Sequence, residues 1–96
     1  MYKILIADKL NKEAEDVFSN NGIQTIVKTG LDAKSLIQEL KNCDGLVVRS
    51  ATKVTKEIIE ASEKLSVIGR AGIGVDNIDI KAATDNGKIV MNAPFG

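Results

Sequence analysis

The chain has 96 residues, enough for one small domain with a modest core and too few for a second. Thirteen basic residues balance 13 acidic ones, which excludes a net field drawing the chain to nucleic acid or an anionic membrane. With 44% hydrophobic, 27% charged and 3% aromatic residues, the composition excludes a disordered chain and argues against base-stacking surfaces.

From the start, short apolar runs rich in Val and Ile recur at Ile4 to Ala7, Ile23 to Val27, Leu46 to Val48, Ser66 to Ile68 and Ile89 to Met91. Each reads as a β-strand. Between them the apolar spacing is helical: Leu10, Ala14, Val17 and Phe18, then Ala33, Leu36, Ile37 and Leu40, then Ile58, Ile59, Ser62 and Leu65. A shorter helix is expected over Ile80 to Asn86. Asn11, Asp32, Thr55 and Asp79 can each accept a hydrogen bond from a free N–H in the first turn, and Val54 and Ile59 stand at hydrophobic-staple positions. Gly22, Gly45 and Gly87 follow helices, where a left-handed residue commonly ends the last turn.

Alternating strands and helices require parallel pairing, because each return crossover needs about a dozen residues. The expected fold class is α/β: an open, doubly wound parallel sheet of five strands with flanking helices, in the flavodoxin-like order 2-1-3-4-5. Ligands of such sheets bind beyond the carboxyl ends of the strands. Those ends carry Asp8-Lys9, Lys28-Thr29-Gly30, Arg49-Ser50, Gly69-Arg70-Ala71-Gly72-Ile73-Gly74 and Asn92-Ala93-Pro94.

Arginine grips a carboxylate or phosphate through two parallel N–H bonds, and Arg49 is the better placed of the two arginines. Gly72 and Gly74 would let main-chain N–H groups converge on an anion, with Ile73 as an apolar wall. The alternative is that both arginines pair with surface carboxylates and the glycines only turn the chain. Several other chemistries fail on spacing. A dinucleotide fingerprint starting at Gly72 and Gly74 would need glycine where Asn77 stands. Ser50-Ala51-Thr52-Lys53 matches the S-x-x-K of penicillin-recognising enzymes, yet Lys28-Thr29-Gly30 precedes it and no S-D-N follows. A phosphate-receiving domain would need an aspartate where Arg49 closes the third strand and an acidic cluster around Asp8, which stands alone in the chain.

The sequence contains no histidine, the usual unassisted general base near neutral pH, and one cysteine. No residue is assigned a catalytic role and no metal site is expected. Cys43 reads as a buried apolar thiol in a reducing compartment, and the apolar run after Met1 is too short for a signal peptide, so a cytoplasmic setting is expected.

Three blocks, Val48 to Thr55, Gly69 to Asp79 and Val90 to Pro94, together resemble the D-2-hydroxyacid dehydrogenase family, with the A-G-x-G-V-D-N-I-D run the most specific part. The resemblance implies an NAD-dependent oxidoreductase of which residues 1–96 form the first part of the substrate domain, the NAD-binding domain and the catalytic residues lying beyond Gly96. It implies that Arg49 and Ser50 contact a small 2-hydroxy acid and that Gly72, Ile73 and Gly74 hold its carboxylate. Ile73 would also reach the nicotinamide, Arg70 would be a lesser contact, and Asn92-Ala93-Pro94 would cross to the cofactor domain. The parent protein is expected to form homo-oligomers, and a lone fragment to be inactive and to expose apolar patches. A free-standing anion-binding or interaction module remains the alternative.

Overall fold

The computed structural model describes residues 2–10, 16, 18, 20–71 and 76–93. The strands are β1 (Lys3–Ile6), β2 (Gln24–Val27), β3 (Gly45–Val48), β4 (Val67–Ala71) and β5 (Ile89–Ala93). They pair in parallel in the order β2-β1-β3-β4-β5, as the crossover argument requires. Helices α1 (Ala33–Leu40), α2 (Lys56–Ala61) and α3 (Ile80–Asp85) connect the later strands. Asp16, Phe18 and Asn20, between β1 and β2, are also helical.

Side chains alternate across each strand, so the sheet has two apolar faces. One carries Leu5, Ala7, Leu46, Val48 and Ile68, and packs against Leu36 and Leu40 of α1, Ile58 and Ile59 of α2, and Ala82 and Ala83 of α3. The other carries Ile4, Ile6, Val47 and Ala71 and packs against Leu10 and Phe18. Handedness explains this allocation. The chain moves one way from β1 to β2 and the opposite way thereafter, so right-handed crossovers must use opposite faces before and after the reversal. The second face is left open at the β5 edge, where Ile89 and Met91 are exposed.

Local chemistry fixes the helix ends. The Asp32 carboxylate accepts from Ser35 N at 2.8 Å, Thr55 Oγ1 accepts from Ile58 N, and the Asp79 carboxylate accepts from Ala82 N at 3.0 Å. Val54 and Ile59 are both in the core. Of the expected first helix, Asn11, Ala14 and Val17 lie outside the described residues. In α1, Leu36 and Leu40 are buried and Ala33 is exposed, so that apolar stripe begins one turn later than its spacing suggests. Helix α3 ends at Asp85, with Gly87 at φ 71° beyond it.

Gly45 departs from expectation. It is not left-handed but opens β3, and a Cβ there would lie 3.2 Å from both Ile4 Cγ1 and Val67 Cγ1. Glycine is needed for space between neighbouring strands rather than for an unusual turn. Cys43 is fully buried as expected, its Sγ donating to Glu39 O at 3.3 Å, and burial pushes its thiol pKa up. Lys88 is buried too: its Nζ donates to Ser62 O and Leu65 O, both at 2.7 Å, tying the approach to β5 to the end of α2. Burial pushes the Lys88 pKa below the usual lysine value, with Glu63 opposing.

Two outcomes follow for stability. Gly45→Ala should overpack the β1–β3–β4 contact and cost about 1–3 kcal/mol in denaturant unfolding. The bond from Ser35 N holds the Asp32 pKa below its ordinary value, so the stability it confers is present at neutral pH and is lost as pH falls through that lowered pKa. Asp32→Asn keeps the cap acceptor but removes the titration, and should flatten this part of the acid limb of a stability–pH curve.

Candidate functional site

The reversal of strand order lies between β1 and β3, whose connections leave toward opposite faces of the sheet, the place where such sheets form a crevice beyond their carboxyl ends. A cleft of about 310 Å³ opens at that point, lined by Asp8 and Lys9 after β1, Thr29 and Gly30 after β2, and Arg49, Ser50 and Ala51 after β3. A neighbouring hollow of about 430 Å³ shares Asp8, Gly30 and Ala51 and runs toward the first turns of α1 and α2.

Asp8 organises this edge. It is 6% exposed, and its carboxylate accepts from Arg49 N at 2.7 Å, Thr52 N at 3.0 Å and Thr52 Oγ1 at 2.6 Å. Beyond the last strand pair these amides have no ladder partner, and a charged acceptor bonds them more strongly than a neutral one would. Asp8 stands alone in sequence but not in space, since its partners lie 41 and 44 positions later. The available signal was its place, an acid closing the apolar run Ile4-Leu5-Ile6-Ala7.

The second anchor is Asn77, whose Nδ2 donates to Arg49 O and Thr52 O. Its main chain is held separately by an isolated parallel bridge between Val54 and Ile78, with Val54 N donating to Asn77 O at 2.8 Å and Asp79 N to Val54 O at 3.0 Å.

Among the expected contact residues, Arg49 and Ser50 are exposed in the cleft, with Arg49 Nη1 reaching Lys9 O at 3.4 Å. Arg70 is half-buried within β4, opposite Val48 and Asn92 in register, and is not among the residues lining the cleft. Asn92 and Ala93 belong to β5. Gly72, Ile73, Gly74 and Pro94 lie outside the described residues.

The arrangement suits a small anion, because an exposed guanidinium faces the cleft while the Asp8 carboxylate is occupied by three donors. It does not fit the pyrophosphate of a dinucleotide. The turn after β1 presents a carboxylate where such a group needs free amides, and two nearby amides are already bonded to it. Among the described residues no group of three His, Cys, Asp or Glu side chains is disposed to hold a metal ion, and no helix is long and apolar enough to cross a membrane.

The model of D-isomer specific 2-hydroxyacid dehydrogenases, catalytic domain, matches residues 4–96. The chain belongs to this family. It is 52% identical over 94 residues to D-3-phosphoglycerate dehydrogenase of Rattus norvegicus and 53% identical over 94 residues to that of Methanocaldococcus jannaschii. Each alignment covers 98% of this chain and 18% of the relative, so the chain spans under a fifth of their length. A crystal structure of NAD+-bound 3-phosphoglycerate dehydrogenase from Entamoeba histolytica superposes with a TM-score of 0.85 at 33% identity, over 95% of this chain and 32% of that one. The three sequence blocks that carry the family likeness resemble D-3-phosphoglycerate dehydrogenase in particular, and these relatives bear that out.

Replacing Asp8 tests the anchor. Asp8→Ala removes the acceptor of three donors and should cost about 2–4 kcal/mol in denaturant unfolding, since a hydrogen bond to a charged group contributes roughly 1.5–3 kcal/mol and water reaches part of this open edge to replace the others. Amide resonances of residues 49–52 should move much further than those of β5.

Proposed function

We propose that this chain is the anion-holding part of the substrate domain of an NAD-dependent oxidoreductase that converts 3-phosphoglycerate to 3-phosphohydroxypyruvate, the entry to L-serine biosynthesis. The observation that carries the reading is Arg49 beside Ser50 in an open cleft at the strand-order reversal. The roughly 50% identity to D-3-phosphoglycerate dehydrogenases supports the choice of substrate within the family.

In this reading the Arg49 guanidinium pairs with a negative group of the substrate and the Ser50 hydroxyl donates beside it. The amides of Gly72, Ile73 and Gly74 hold the carboxylate, Ile73 packs against the nicotinamide, and Arg70 contributes at longer range. NAD, when bound, accepts the hydride, and it is held mainly by chain outside these residues. The proton acceptor also lies elsewhere, since none of the 96 residues is a histidine. Dividing the work between two domains lets closure bring acceptor and anion together only when both are bound.

The buried, unpaired Cys43 thiol supports a reducing, cytoplasmic setting, and the balanced charge supports small-molecule rather than nucleic-acid or membrane partners. The parent enzyme is proposed to be a homo-oligomer. Another 2-hydroxy acid is the second reading, favoured by the match to the model of D-isomer specific 2-hydroxyacid dehydrogenases as a class. The lack of histidine also suits a module that binds an anion without catalysis.

Purified as these 96 residues, the chain should reduce no NAD with 3-phosphoglycerate. Titration with 3-phosphoglycerate should shift amide resonances at Arg49, Ser50 and residues 72–74, weakly and saturably. Turnover by the chain alone would contradict the division of labour, and shifts confined to β2 or α3 would contradict the site.

A further inference from the structure

We infer that Asn77 is a positioning residue that sets the direction of Arg49 and Ser50, an inference that rests on the anion reading above. Its basis is a two-sided grip on the turn at 49–52. At Arg49 the N–H is taken by Asp8 Oδ2 and the C=O by Asn77 Nδ2. At Thr52 the N–H is again taken by Asp8 Oδ2 and the C=O again by Asn77 Nδ2. Both ends of the turn are therefore fixed on both polar atoms, by one acceptor from the β1 side and one donor from the side of the chain that follows β4.

Only a primary amide meets this demand. Two carbonyls facing one side chain need two N–H groups on a single neutral nitrogen, which asparagine supplies, serine halves and aspartate lacks. The amide has one workable orientation, since exchanging its ends would set Oδ1 against both carbonyl oxygens. Oδ1 is shielded from solvent and has no hydrogen-bond partner among the described residues, so the amide is held through its nitrogen.

Fold maintenance alone does not require this side chain. The main chain of Asn77 is fixed by its bond from Val54 N, and the bond from Asp79 N to Val54 O secures the next residues. Asp79 then caps α3 independently. What the amide adds is control over the carbonyls of Arg49 and Thr52, one on each side of the Ser50-Ala51 segment. In sequence, Asn77 stands three positions after Gly74. A misaimed guanidinium loses its two parallel bonds together, so a small reorientation has a large effect on anion affinity.

The test uses the proposed parent enzyme, of which these residues form a part, with 3-phosphoglycerate affinity measured by calorimetry well below every unfolding midpoint, and KM and kcat measured in parallel. Asn77→Asp should weaken binding by about tenfold or more, with the loss carried chiefly in KM, and Asn77→Ser by less. Asn77→Ser keeps one donor and adds no charge, so it carries the test if the aspartate variant does not fold. Lys88→Met, which strands two carbonyls away from the cleft, serves as the control for general destabilisation and should bind as wild type. Wild-type affinity in both Asn77 variants, or losses in Lys88→Met that match theirs, would overturn the inference. Arg49→Ala separates the two readings: if it binds as wild type the anion reading itself fails, and if it alone loses affinity only the role of Asn77 fails.

Discussion

A carboxylate kept from solvent must be paired, and at Asp8 every partner among the described residues comes from the turn that follows β3. Leaving such a charge buried without donors would cost several kcal/mol, whereas hydrogen bonds to a charged group contribute roughly 1.5–3 kcal/mol each. The turn is thus held by an interaction far stronger than the 3.4 Å contact from Arg49 Nη1 to Lys9 O, which is exposed. This difference matters for function. The main chain of the arginine is anchored while its guanidinium is left at the cleft, able to meet an incoming anion without first breaking a strong internal pair.

The same constraint explains why the site lies where it does. Asp8 follows β1 and Arg49 follows β3, the two strands at which the winding direction reverses. Opposite handling of the crossovers puts α1, α2 and α3 on one face and the helical residues near Phe18 on the other, so the described connections leave the crevice on opposite sides. Elsewhere at this edge a turn residue would pack beneath a crossover. At the reversal it meets only the neighbouring strand end, and an acid there can reach back to tie it down.

Much of this was legible from the residues alone. Apolar runs of three to five residues, alternating with stripes at helical spacing, specify the parallel sheet and its order, and the caps at Asp32, Thr55 and Asp79 follow from short-range hydrogen bonding. The place of Arg49 and Ser50 at the cleft was legible because strand ends are where such sheets bind ligands. What escaped were the long-range interactions. Asp8 carries no local sign that its partners lie 41 and 44 residues away, and Asn77 figured as the residue that breaks a glycine motif and as part of the family-like run, with no role of its own. Gly45 was misread for a related reason: its position after a helix is local, while the crowding by Ile4 and Val67 comes from two other strands.

Amide hydrogen exchange at residues 49–53 tests most directly whether a buried acid fixes this turn. The N–H groups of Arg49 and Thr52, although outside the strand ladder, should exchange about as slowly as those of β3, while Ala51 and Lys53 exchange at rates typical of open loops. Equal, fast exchange at all of these positions would mean that the carboxylate does not hold the turn and that the arginine is not presented by it.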